Sequence, residues 1–167
     1  MALPYRRLAL AAFNERDPET LEPTLLACCR SSAWAAEVMA GRPYETVDDV
    51  VAAADRALEA LTDAQIDEVV ASHPRIGEAT ANEQSRREQA GTADADRKML
   101  DALEDGNREY ERRYGHAYLV SAYGKDAEEL LEQLHQRLTN DPVTERVVVR
   151  EELAKINGLR LERLLRS

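Results

Sequence analysis

A chain of 167 residues with 44% hydrophobic composition has the length of one ordinary domain, so we expect a single domain over residues 1–167. A formal net charge of −10 argues against a nucleic-acid partner, because phosphate contacts require concentrated positive charge. Aromatic residues make up only 5% of the chain, and no stretch approaches the roughly 18 apolar residues of a membrane span. Composition therefore favours a helical protein outside the membrane.

Helix signals follow one another through the first half of the chain. Asp17 places a capping acceptor before Pro18, which suits the first position of a helix. The segment SSAWAAEVMAG, residues 31–41, predicts a short helix that ends at its final glycine. Apolar residues spaced by three and four between positions 47 and 61 predict an amphipathic helix. Thr62 then opens a capping box, which predicts that DAQIDEVVAS continues as another short helix.

Two adjacent cysteines, Cys28 and Cys29, lie in an apolar helical run. Neighbouring helical residues point in different directions, and a redox pair is typically spaced C-x-x-C, so we expect two buried free thiols in a reducing compartment. The N-terminal segment LPYRRLALAAF has no long apolar core and no evident cleavage site. We therefore expect a cytoplasmic protein.

The second half is also mainly helical by pattern. A charge-rich helix is predicted for residues 93–113, and apolar spacing predicts another helix after Asp126. Between them, GHAYLVSAYGK predicts a short extended segment near residues 118–122, too isolated to build a sheet. After Asp141 and the proline that follows it, we expect a final helix or pair of helices that bends near Gly158. The predicted fold is all-α, with eight or nine helices and one short extended segment.

The sequence SHPRIG interrupts this pattern with a titratable side chain. His73 precedes Pro74, which biases the histidine away from helical dihedral angles and predicts a loop position at the end of a helix. A histidine beside a helix C-terminus is also favourable to the helix dipole. Spacing alone therefore leaves a structural role and a catalytic role both open.

The segment NEQSRREQAG groups three further polar side chains. Ser85 and Glu88 are neighbours at i and i+3, and Ser85 and Gln89 at i and i+4, so one helical turn presents a hydroxyl, a carboxylate and an amide together. The alternative interpretation is a capping box in which Ser85 is the N-cap and Glu88 occupies N3.

A metal site is not predicted. The three histidines, His73, His116 and His135, lack the spacing of metal ligands, and neither cysteine has a suitably spaced partner. The chain also has no glycine-rich phosphate loop and no G-x-S-x-G motif.

Taken in order, the motifs resemble those of the 2-oxo-4-hydroxy-4-carboxy-5-ureidoimidazoline (OHCU) decarboxylase family. The similarity runs from about residue 10 onward and rests on HPRIG from position 73, SRREQAG from 85, NREYERRYGHAYLVSAYGK from 107 and DPVTERVVVREELAKINGLRLERL from 141. SSAWAAEVMAGRPY from 31 resembles a further family segment, Ser-Pro-Trp followed by Arg-Pro-aromatic.

The resemblance implies an all-α, usually homodimeric enzyme without a cofactor, which converts the ureidoimidazoline to (S)-allantoin at the end of urate degradation. It also implies roles for nine residues. These are His73 as the essential histidine, Glu88 as its partner, Pro74, Ser85 and Gln89 as substrate contacts, the backbone of Leu119, Val120 and Ser121 as hydrogen-bonding groups for the ring and the ureido group, and Arg160 as the holder of a substrate oxygen.

Three departures from the family pattern keep an alternative open. The loop between His73 and Glu88 is shorter than is usual in the family, and the family's Ser-Pro-Trp reads Ser-Ala-Trp. Before the extended segment, the pattern aromatic-Gly-Phe-Pro-Phe reads YGHAY from position 114. The alternative is a helical scaffold that has lost the reaction, or a related small-molecule lyase on the same fold.

Overall fold

The computed structural model describes residues 8–77, 83–92 and 95–166, with Glu83 described by its backbone alone. Every regular element in these ranges is a helix. In chain order they are α1 (Leu10–Glu15), α2 (Pro18–Cys28), α3 (Ser32–Ala40), α4 (Val47–Glu59), α5 (Asp63–Ala71), α6 (Glu83–Glu88), a 3₁₀ turn (Ala90–Thr92), α7 (Arg97–Tyr114), α8 (Ala127–Arg137) and α9 (Pro142–Leu165). The prediction of an all-α fold is confirmed.

Most of the α-helices begin at a residue whose side chain supplies a cap. Thr62 and Gln65 form the predicted capping box, with N–O distances of 2.8 and 3.2 Å. Asp141 accepts from the backbone N–H of Thr144 at 2.9 Å. The prediction for Asp17 is wrong in one respect, because its side chain makes no cap hydrogen bond. The main-chain carbonyl of Asp17 takes that role, since it accepts from Thr20 N at 3.0 Å.

The two longest helices differ from their predicted bounds. α7 begins at Arg97 instead of residue 93, because Asp96 caps it by accepting from Met99 N at 2.8 Å; residues 93 and 94 lie outside the described ranges. α9 is one continuous helix of 24 residues that runs through Gly158, not a pair of helices. Glycine in a helix interior costs about 1 kcal/mol relative to alanine, which the packing of so long a helix offsets.

Residues 115–126, between α7 and α8, contain no helix. Gly115 ends α7 with a left-handed φ of 78°, which glycine adopts without a Cβ penalty. The following side chains from Tyr118 to Ala122 are nevertheless buried. Their backbone groups therefore need partners other than a helix ladder.

The contacts divide the described chain into two units. The first unit comprises the residues up to Val69 and those from Ala154 onward. Its two chain segments are joined by the hydrogen bond from Leu8 N to Leu164 O, at 2.8 Å. Its largest fully buried side chains are Phe13, Leu21, Leu25, Trp34, Ile66, Leu161 and Leu164.

The second unit runs from Val70 to Leu153 and has its own apolar cluster. The cluster's buried members are Ile76, Leu103, Tyr110, Tyr118, Val120, Ala122, Ala127, Leu130 and Leu134. α9 contributes its first half to this unit and its second half to the first unit. The expectation that residues 1–167 form a single domain stays a prediction.

Cys28 and Cys29 are free and buried, as predicted. No helix in the described ranges is long and apolar enough to span a membrane.

Candidate functional site

His73 lies two residues beyond the end of α5, in the second unit. Its backbone N–H donates to Val70 O at 3.1 Å, its side chain is half-buried and its Nε2 atom is fully buried. Pro74 follows directly and is also half-buried. The prediction that His73 stands in a loop at a helix end is confirmed.

The loop after His73 is fixed to one face of α7. Arg75 donates from Nε and Nη2 to the two carboxylate oxygens of Glu111, at 2.5 and 3.1 Å. These hydrogen bonds hold the pKa of Glu111 below its usual range. The next residue, Ile76, accepts at its carbonyl from Asn107 Nδ2 at 3.1 Å. Arg75 and Ile76, which follow the histidine and its proline, are therefore both held to α7.

One hydrogen bond ties this loop to the residue after α6. Gly77, at a left-handed φ of 88°, donates its N–H to Gln89 Oε1 at 3.0 Å. Because a backbone N–H can only donate, the accepting atom must be the amide oxygen of Gln89, which leaves Nε2 as its donor group. Gln89, predicted as a substrate contact, thus also positions the loop, a role that the sequence did not indicate.

α6 buries three of its polar side chains, Gln84, Ser85 and Glu88. Ser85 and Glu88 are 3% and 8% exposed, whereas Arg86 and Arg87 face solvent. The hydroxyl and the carboxylate therefore share the inner face of the helix, as their spacing predicts. The alternative interpretation of a capping box is wrong, because α6 begins at Glu83 and places Ser85 inside the helix instead of at its N-cap.

Leu119, Val120 and Ser121 belong to the same unit as His73 and α6, and they are 4%, 3% and 8% exposed. The carbonyl of Leu119 accepts from Arg137 Nη1, and the N–H of Ser121 donates to Glu152 Oε2 at 3.1 Å. Side chains from α8 and α9 thus satisfy two backbone groups of this segment.

Arg160, on α9, belongs to the first unit and is 5% exposed. Its Nη1 donates to Cys28 O at 2.9 Å, so one arm of the guanidinium is held by the main chain. Nearby, burial raises the pKa of the Cys29 thiol to about 11, although the Asn157 amide and the charge of Arg160 oppose the shift. The other eight predicted site residues all lie in the second unit.

Sequence reasoning missed a set of buried polar side chains. Its members are Asn107, Arg137, Glu145, Glu152 and Asn157, each no more than 4% exposed. A signal was present in α9, where Glu145 and Glu152 share the spacing of the buried Val149 and Ile156. Polar residues on the apolar face of a helix indicate a buried hydrogen-bond network.

A cavity of about 500 Å³ opens beside the His73 loop, between residues 75–77 and α7. None of the nine predicted site residues lines it. Its charged walls include ion pairs, such as Arg108 with Glu104 at 2.5 Å. Because these charges are already neutralised by neighbours, we do not assign the site to this cavity.

Metal-ligand side chains are not clustered in the part of the chain that the structure describes. No three histidine, cysteine, aspartate or glutamate residues there are grouped to hold an ion. The expectation of a reaction without metal or cofactor stays a prediction.

Comparison with known proteins identifies the family. The family model described as OHCU decarboxylase matches residues 14–162. The decarboxylase of that name from Amia calva is 30% identical over 143 residues, which are 81% of this chain and 82% of that protein. The uric acid degradation bifunctional protein PucL from Bacillus subtilis (strain 168) is 30% identical over 159 residues, 89% of this chain but 31% of that longer protein.

Solved structures agree in fold. A crystal structure of OHCU decarboxylase in the presence of (S)-allantoin superposes with a TM-score of 0.74 at 23% identity, over 91% of this chain and 100% of that one. A crystal structure of (S)-allantoin synthase superposes with a TM-score of 0.73 at 18% identity, over 95% of this chain and 54% of that one. With the family match covering most of its length, the chain belongs to the OHCU decarboxylase family.

Proposed function

We propose that the chain decarboxylates 2-oxo-4-hydroxy-4-carboxy-5-ureidoimidazoline to (S)-allantoin in urate degradation, without a cofactor. The observation that carries the proposal is the inner face of α6. This chain belongs to the family and has the histidine loop, and it also buries Ser85 and Glu88 on this short helix. This face of α6 therefore holds, out of bulk solvent, the hydroxyl and the carboxylate that the proposed reaction uses.

The substrate's own structure explains why no cofactor is needed. One ring carbon carries the carboxylate and a hydroxyl, and the next ring carbon is a C=N that bears the ureido group. When the bond to the carboxylate breaks, CO₂ leaves and the electron pair moves toward the imine nitrogen. The nitrogen takes up a proton, and the resulting enol ketonises as its hydroxyl loses a proton and the second carbon gains one. A protein that shields one face of the ring then makes a single enantiomer.

The side chains then have distinct roles in this proposal. His73 exchanges a proton with the substrate hydroxyl, as imidazole can near neutral pH. Glu88 orients the imidazole and sets its tautomer. Ser85 and the Nε2 of Gln89 hold the ring, together with Pro74 and the backbone of residues 119–121. Arg160 is included on its motif position, to hold a substrate oxygen with its planar fork.

The deciding experiment follows the handedness of the product, because the substrate also decays without an enzyme. Freshly generated substrate is given to the wild type and to His73→Asn, and allantoin is followed by circular dichroism. We expect the wild type to form (S)-allantoin, and His73→Asn to lose about 10² to 10⁴ in enzymatic rate, the usual contribution of one acid–base group. His135→Asn is the matched control, because His135 is an exposed histidine on α8.

Two outcomes would contradict the proposal at different points. Racemic product at the spontaneous rate with the wild type would refute the enzymatic function. Wild-type turnover by His73→Asn, with the control also active, would refute the role of His73 alone.

We further propose that the protein is a cytoplasmic homodimer. The family resemblance supports the dimer, and two free cysteines are typical of a reducing compartment. Light scattering after gel filtration measures the mass directly, and a value near the 18.7 kDa of one chain would contradict the dimer.

A further inference from the structure

The second unit contains charged side chains that the proposed reaction does not use. Arg137, Glu145 and Glu152 are 4%, 0% and 2% exposed. Burying charges is expensive unless they are paired and hydrogen-bonded, so their partners indicate what the burial achieves.

Arg137, at the end of α8, joins a carboxylate to the main chain of the extended segment. Its Nε and Nη2 donate to Glu145 Oε1 at 2.8 and 2.5 Å, and its Nη1 donates to Leu119 O. The guanidinium also lies 4.9 Å from the ring centroid of Tyr118 and 5.6 Å from that of Tyr110. These contacts fix the plane of the fork and hence the position of the Leu119 carbonyl.

Glu152, on α9, holds the other end of the same segment. One carboxylate oxygen accepts from Ser121 N at 3.1 Å, and the other accepts from Gln133 Nε2 at 3.3 Å. The residues on either side of Val120 are therefore each fixed by a buried charged side chain. Such charge-assisted hydrogen bonds are stronger than bonds between neutral groups.

The remaining residue of this segment is Val120, which lies between the two anchored residues. Arg137 binds Leu119 O and Glu152 binds Ser121 N–H, whereas neither side chain binds the N–H or the C=O of Val120. Val120 is 3% exposed, and its N–H and C=O form no hydrogen bond with a described residue. Buried backbone groups without a partner are rare in proteins, so the N–H and C=O of Val120 are suited to binding a ligand.

We propose that Arg137 and Glu152 are positioning residues, which hold residues 119–121 so that the backbone of Val120 can bind the substrate ring. This inference rests on the proposed function. The carboxyl group of Glu145 has a supporting role, because it orients the guanidinium of Arg137.

The test compares three variants by steady-state kinetics at a temperature where circular dichroism shows each to be folded. Glu152→Ala removes the acceptor for Ser121 N–H, and we expect KM to rise about tenfold, the scale for one lost charge-assisted hydrogen bond. Glu152→Gln keeps an oxygen for Ser121 and is expected to restore KM to within about threefold of the wild type. Gln133→Ala is the matched control, because it removes a different partner of Glu152 and leaves the bond to Ser121, so its KM should stay near that of the wild type.

The parameter KM separates positioning from a purely structural role. A variant that is only less stable has less folded enzyme, which lowers the apparent kcat and leaves KM unchanged. An unchanged KM in Glu152→Ala would overturn the proposal. If Glu152→Ala does not fold, Arg137→Lys decides in its place, because lysine keeps the charge beside Glu145 but lacks the fork that reaches Leu119 O. An unchanged KM in Arg137→Lys would overturn the proposal as well.

Amide hydrogen exchange tests the same geometry without catalysis. We expect (S)-allantoin to slow the exchange of the Val120 amide in the wild type, and Glu152→Gln to keep that effect. If the wild type makes no (S)-allantoin, the proposed function fails, and slowed exchange at Val120 would still support the anchored segment. A Val120 amide that (S)-allantoin does not affect would overturn the further inference even in an active enzyme.

Discussion

Removing one member of the buried ion pair between Arg137 and Glu145 should cost far more stability than removing one member of a surface pair of the same length. Its two side chains are 5% and 0% exposed, and the shortest N–O distance is 2.5 Å. Removing one member of a buried pair leaves an uncompensated charge and typically costs about 3–5 kcal/mol. We therefore expect Arg137→Met and Glu145→Gln each to lower the free energy of unfolding by about that amount. The loss is a large fraction of the 5–15 kcal/mol that usually stabilises a domain.

The double variant carries the more informative expectation. With both charges gone, no buried ion is left unpaired, so its loss should fall short of the sum of the two single losses by about 2 kcal/mol or more. A remaining loss is expected, because the Leu119 carbonyl loses the donor that Arg137 provides. Urea unfolding followed by circular dichroism at neutral pH measures all four proteins of the cycle.

The matched control is the pair of Arg108 with Glu104 on α7. Its shortest N–O distance is also 2.5 Å, but its side chains are 67% and 55% exposed. Exposed pairs contribute about 0.2–1 kcal/mol, so the cycle of Arg108→Met with Glu104→Gln should give a coupling in that range and lose it in high salt. Equal coupling energies for the two pairs would refute the reasoning, which attributes the stronger coupling of Arg137 with Glu145 to burial.

Three other positions give testable expectations. A Cβ at Gly91 would stand 2.0 Å from the carbonyl oxygen of Lys125, so Gly91→Ala should lower stability by about 1–3 kcal/mol in urea unfolding. At Gly158 a Cβ would meet its nearest atom at an ordinary 3.6 Å, so Gly158→Ala should stabilise α9 by up to about 1 kcal/mol. Equal changes in stability for Gly91→Ala and Gly158→Ala would contradict this account. Burial raises the pKa of the Cys29 thiol to about 11, above the usual thiol value of about 8.5. The contribution of Cys29 to the free energy of unfolding is therefore complete below pH 8.5 and decreases as the pH rises toward 11. Unfolding measured between pH 8 and 11 should show stability falling in Cys29-containing protein and less so in Cys29→Ala.

Local patterns predicted the helices well because each signal and its structural effect lie within one turn. The capping box at Thr62 and the cap at Asp141 needed only residues three positions away. His73 at the end of α5 followed from the proline after it. Ser85 shows the limit of such patterns, since the same i, i+3 spacing with Glu88 fits both a cap and a helix interior.

The side chains that hold the candidate site, Arg137 and Glu152, could not be predicted from local patterns. The bond between Ser121 and Glu152 joins residues 31 positions apart, and that between Arg137 and Leu119 spans 18. Such pairs exist only once tertiary packing has brought distant helices together. Glu152 could have been recognised as unusual, because it lies on the apolar face of α9, but its partner could not.

Because α9 contributes to both units, the first unit begins earlier in the chain than the second unit but is completed after it. The first unit draws on residues up to Val69 and again on those from Ala154. During synthesis, residues 70–153 are available to fold while the earlier residues still lack Leu161 and Leu164. Premature termination before Ala154 would thus leave the first unit, which is synthesised earliest, without its last helical segment. A fragment containing only residues 8–69 would likewise expose apolar surface and be prone to aggregation.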